Sequence, residues 1–172
     1  MQQQVTKVDF DKFVPEFREK LEQLVRGIEK QKYEVKVIGG FRTLEQQAKA
    51  WKRGKSTTQI NFLIDQLKAN NAPYAASVFE KPEVPPQATW VSEEHIFDYL
   101  LLGKAATLMI NNVIPNIYHA YNDLLEEEAS KNGLVSGFRF KRHSSHHVRL
   151  EEPDLDDLYT MAQMDQILKG LS

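Results

Sequence analysis

Val37-Ile38-Gly39-Gly40-Phe41-Arg42-Thr43-Leu44-Glu45-Gln46-Gln47 is the stretch whose reading decides the fold. Upstream of it, Tyr33, Val35 and Val37 alternate with Glu34 and Lys36, the two-residue period of a half-buried strand. Gly39-Gly40 ends that strand in a tight turn and places Arg42 at its mouth. Thr43 and Gln46 have the spacing of a capping box, in which hydroxyl and amide satisfy the free amides of a helix start. A strand, a glycine turn carrying an arginine, and a capped helix to about Arg53 follow in that order.

Working toward the N-terminus, Phe10, Phe13, Phe17, Leu21, Leu24, Val25 and Ile28 recur at three- and four-residue steps and predict one amphipathic helix over 10–28. Toward the C-terminus, Ile60, Leu63, Ile64 and Leu67 mark another, ending near Asn70-Asn71. Pro82, Pro85 and Pro86 predict a loop and Thr89 to Val91 a short strand. Ile96 to Ile114 is the most apolar segment and is expected at the centre. Pro115 suits the first turn of a helix running to about Lys131 and stopped by Asn132-Gly133. Phe138-Arg139-Phe140 and His147-Val148-Arg149-Leu150 read as paired strands. A last helix over 153–170 opens with Pro153, Asp154, Asp156 and Asp157, whose charge complements the helix dipole. This order predicts an α+β protein, a small antiparallel sheet flanked by helices, as a single domain over 1–172.

Composition excludes several function classes. The chain has 172 residues, 41% hydrophobic and 27% charged, with a formal charge of -2. That balance gives no global basic footprint for nucleic acid. There is no cysteine, so a metal would need imidazole and carboxylate ligands. No run approaches the length of a membrane span, and Met1 to Lys7 lacks the pattern of a secretory signal. Synthesis in the cytoplasm without such a signal is the expectation.

The run from Val37 to Gln47, continued by Trp51-Lys52-Arg53-Gly54-Lys55-Ser56, resembles the zinc D-Ala-D-Ala carboxypeptidase and L-alanyl-D-glutamate endopeptidase family, with its G-[YF]-R-T turn before a helix. Ile64-Asp65-Gln66-Leu67 and Asn71-Ala72-Pro73-Tyr74-Ala75 resemble a branch common in phage genomes. So do Gly133-Leu134-Val135-Ser136-Gly137 and His147-Val148-Arg149-Leu150. The resemblance spans about 13–150 and implies that family's fold and an origin in cleavage of peptidoglycan stem peptides by zinc.

Set on the family's first metal motif, S-x-H-x-x-G-x-A-x-D, with Gly103 and Ala105 as anchors, the chain has Asp98 for the Ser, Leu100 for the His and Thr107 for the Asp. His147 keeps the last ligand position, and Ser144 stands where the family has its acidic general base. Leucine has no donor atom and a neutral threonine hydroxyl is a poor zinc ligand. Serine is no general base near pH 7. No catalytic residue and no cofactor are therefore expected.

The alternative is a displaced zinc site, with His95 and Asp98 joining His147, or a cluster of His143, His146 and His147. Consecutive strand residues point to opposite faces, which counts against the second. Arg42 matches the family's cleft arginine, open to an anionic peptide carboxylate; pairing with a structural carboxylate is the competing reading. His119 reads as a packed or surface histidine, and Glu126-Glu127-Glu128 as a solvated helix face. Three functions follow: a non-catalytic descendant serving as a binding or structural component of a phage virion or tail, an active zinc peptidase, and a regulator that binds peptidoglycan without cutting it. Trp90, Phe79 and the final helix are the contacts expected for protein partners.

Overall fold

The computed structural model describes residues 7–82, 96–113, 121–137 and 147–172. They form an α+β architecture of seven α-helices and one four-stranded antiparallel sheet among the described residues. Residues divide into two compact units, one from Met1–Phe41 with Leu102–Asp154, the other from Arg42–Leu101 with Leu155–Ser172.

The first unit holds the sheet. Its strands β1 (Val35–Gly39), β2 (Ala105–Ile110), β3 (Leu134–Ser136) and β4 (His147–Leu150) lie in the order β1-β2-β4-β3. Ala106, Leu108, Ile110, Val148, Leu150 and Leu134 share one face and are almost fully buried. Against them pack Phe17, Leu21, Leu24 and Ile28 of helix α1 (Pro15–Lys30) and Leu125 and Ala129 of α5 (Tyr121–Lys131). Burying such side chains contributes about 1.5–3 kcal/mol each. The helix expected over 10–28 is broken: a 3-10 turn at Phe10–Lys12 precedes α1, which starts with Pro15 at its first position. Proline has no amide to give an i−4 carbonyl, so the helix can begin there but cannot run through it.

Gly103 joins this core to the 3-10 turn. It has φ +67, and a Cβ there would run into the Lys12 carbonyl oxygen, while its own carbonyl accepts from Val14 N at 3.0 Å. Glu128, expected on a solvated face, is instead buried, accepting from Gln31 Nε2 at 2.8 Å and Lys131 Nζ at 2.9 Å. Gly27 makes room for it, since any Cβ at that position would strike the carboxylate.

The second unit is helical: α2 (Leu44–Lys52), α3 (Thr57–Ala69), α4 (Pro73–Phe79), α6 (Leu155–Leu158) and α7 (Met161–Leu171). The capping box expected at Thr43 and Gln46 is present, and Ser56 with Gln59 and Thr160 with Gln163 form two more. The last of these splits the expected helix over 153–170 in two, because a cap residue leaves helical geometry. Phe79 is core, not a surface contact: it is 1% exposed and meets the Trp51 ring edge-on at 5.7 Å.

Asp165 of α7 is buried and accepts from the backbone amides of Tyr74 at 3.2 Å and Ala75 at 2.6 Å. Those amides open α4, whose preceding residue Ala72 has no side chain to cap them. Asp165→Ala would leave one buried and one part-buried donor without an acceptor, at about 1–3 kcal/mol for the buried one and less for the other. The expected result is a loss of about 3 kcal/mol in urea unfolding with unchanged m-value. Asp165→Asn, which keeps one acceptor, is expected to lose less.

Candidate functional site

The sheet's second face carries two of the positions that the motif comparison singled out, 107 and 147. A bulge between Val37 and Gly39 brings Gly39 opposite Thr107, and Thr107 in turn faces His147. Directly opposed residues of antiparallel strands point to the same face, with Cβ atoms about 4.5–5.5 Å apart. Gly39, Thr107 and His147 therefore form one row across β1, β2 and β4, turned away from the α1 and α5 core. A Cβ on Gly39 would come to 2.9 Å from the Thr107 hydroxyl oxygen, so glycine is what lets these strands close up. Thr107 and His147 are both half-buried.

Arg42, Gln47, Asp98 and Leu100 belong to the second unit. Arg42 Nη1 donates to Gln47 Oε1 at 2.7 Å, and Gln47 Nε2 donates to Asp98 Oδ2 at 3.3 Å. The other carboxylate oxygen of Asp98 accepts from Leu100 N at 2.8 Å, and Leu100 O accepts from Arg42 N at 3.2 Å. Among the contacts of Arg42, one thus leads through the Gln47 amide to the Asp98 carboxylate. Sequence reading passed over Gln47, which is fully buried. The available signal was a glutamine at a buried step of an amphipathic helix, where an amide must find partners.

The residues at the inferred zinc positions do not fit that metal. Leu100 is 2% exposed and packed as an apolar side chain. Thr107 offers a neutral hydroxyl, which leaves His147 as the one imidazole of the set. Among the described residues there is no group of three or more histidine, aspartate or glutamate side chains able to hold a metal ion. His95, His119, His143, Ser144, His146 and Trp90 lie outside the described residues, as do the strands expected at 89–91 and 138–140. Asp98, the alternative ligand, has both its oxygens accepting hydrogen bonds from Gln47 and Leu100.

No protein-family model matches the chain, and no curated protein matches its sequence. Similar solved structures include the following two. The LdcB LD-carboxypeptidase, whose structure is described as revealing the molecular basis of peptidoglycan recognition, aligns with 12% identity over 92% of this chain and 64% of that one, TM-score 0.46. A mutant of the vancomycin-resistance D,D-pentapeptidase VanY in complex with Zn(II) aligns with 15% identity over 81% of this chain and 73% of that one, TM-score 0.42. This chain thus spans less than two thirds of the first protein's length. Among the described residues no helix is long and apolar enough to cross a membrane.

Proposed function

We propose that this chain is a non-catalytic relative of peptidoglycan-cleaving zinc peptidases, retained as a binding or structural protein of a phage virion or tail. Arg42 is its dock for an anionic peptide carboxylate, and its partners are other virion proteins together with peptidoglycan. The observation that carries the reading is the Thr107–His147 row. The motif alignment put a lost ligand at 107 and a kept one at 147, and the strand register makes those two residues direct neighbours. Neighbouring positions are what a shared metal requires, so the register supports the alignment that finds the donors missing. The segments at 64–67, 71–75, 133–137 and 147–150 support the phage branch.

The test is incubation of the zinc-supplemented chain with purified stem peptides and sacculi. No new amine or carboxylate terminus is expected, while the chain sediments with sacculi and Arg42→Ala lowers the bound fraction about tenfold, the worth of one charge-assisted hydrogen-bonded contact. Turnover of stem peptides would overturn the non-catalytic reading and favour a zinc site built on His95, Asp98 and His147.

A further inference from the structure

We propose that β1 is a self-association surface, pairing antiparallel with β1 of a second copy about a two-fold axis at Val35. Among the described residues β1 ends the sheet, with β2 on one side and no strand on the other. An unpaired edge offers a row of amides and carbonyls to a strand able to match it.

Which groups face outward follows from the turn after β2. Asn111 N donates to Glu34 O, whereas the Ile110 amide and carbonyl both bond Val113. Val35 stands opposite Ile110, so the two form a non-hydrogen-bonded pair of the β1–β2 ladder. The N–H and C=O of Val35 therefore point away from β2, and alternation gives those of Val37 the same direction. A second β1 run antiparallel to the first exchanges both hydrogen bonds between the two copies of Val35.

The side chains select that register. With Val35 on the axis, Glu34 falls opposite Lys36 of the second copy, and Lys36 opposite Glu34 of the second copy. These are non-hydrogen-bonded positions, where side chains lie closest. Both residues are exposed, and within one chain Lys36 Nζ already lies 2.9 Å from Glu34 Oε1. The pairing thus gathers four charges of alternating sign. An axis at Val37, the other outward-facing residue, would set Lys36 against Ile38 and Glu34 against Gly40, with no charge paired.

An apolar seam runs beside the edge. Val8, Phe10 and Val25 join Val35 and Val37 around a cleft of about 440 Å³. Its rim holds Lys7 and Arg26 with Glu22 and Glu29, so the charges there balance. Pairing about Val35 brings the two clefts side by side on one face of a continuous sheet. A two-fold contact uses the same patch twice and closes at two copies.

Sedimentation equilibrium of the full-length chain, from micromolar to near-millimolar concentration, tests this. A monomer–dimer equilibrium is expected for the wild type. Lys36→Glu is expected to weaken it about tenfold, because two attractive pairs become like-charge pairs. Glu34→Lys combined with Lys36→Glu exchanges the charges and is expected to restore the wild-type dissociation constant. The Lys36 bond to Asn112 Oδ1 is lost in both variants, so it cannot account for a restored dimer. Val35→Pro removes an outward-facing amide and leaves the β2 ladder intact, as prolines on edge strands do. It is expected to abolish the dimer, and the charge exchange decides the matter should this variant not fold. A chain monomeric throughout would overturn the pairing and leave the edge to a strand of another protein. A dimer indifferent to Lys36→Glu would assign the contact to another surface and overturn it equally. Weakening that the exchange does not restore would overturn the register about Val35.

Discussion

Incubated with zinc and then freed of unbound metal, the purified chain is expected to retain essentially no zinc. A three-residue catalytic site holds its ion through imidazole and carboxylate donors around one open position. Losing merely an outer partner of such a ligand lowers affinity about 10–100-fold. Under the proposed reading the loss is of the donors themselves, since Leu100 has none and Thr107 has a neutral hydroxyl. His147 alone provides one bond, too weak to survive removal of free metal. The check is elemental analysis of the dialysed protein. About one zinc per chain would sink the placement of Leu100 and Thr107 at ligand positions and redirect attention to His95, His143 and His146. His147→Ala would then show whether the register row takes part.

Gly103→Ala is the second expected large effect, a loss of about 3 kcal/mol from a single methyl group. At φ +67 an L side chain already costs about 1 kcal/mol. The larger share comes from the Lys12 carbonyl oxygen standing where the methyl would go. That oxygen is backbone, so it can move only by disturbing the 3-10 turn and the Val14 amide bonded to Gly103 O. For a chain of this size the thermal midpoint should fall by about 6–12 °C. Gly170→Ala is the control: nothing lies within 4 Å of a Cβ there, and its φ is ordinary. A midpoint for Gly103→Ala within a degree of that control would show that the clash relaxes freely.

How much was legible depends on the range of the interaction. The Thr43 cap and the β1 alternation involve residues within a few positions of each other, and both are found where the sequence puts them. The same local rule, applied to Ser56 and Thr160, would have found the other two capping boxes and the break before α7. Pro73 was likewise a readable first position for α4. Glu128 was not readable. Three consecutive glutamates on a helix look alike until Gly27, about a hundred residues earlier, supplies the gap that takes in one of them.

The sequence by itself determined the α+β class, the caps and turns, and the chemical identity of each residue at the motif positions, because composition and short-range hydrogen bonding are properties of the chain. Only the tertiary structure decided that Thr107 faces His147 and that Arg42 reaches Asp98 through Gln47. A strand register is fixed by which face buries its apolar side chains. A buried amide takes whatever donor and acceptor the fold brings to it. Both are settled between segments far apart in the chain, where no local pattern carries the information.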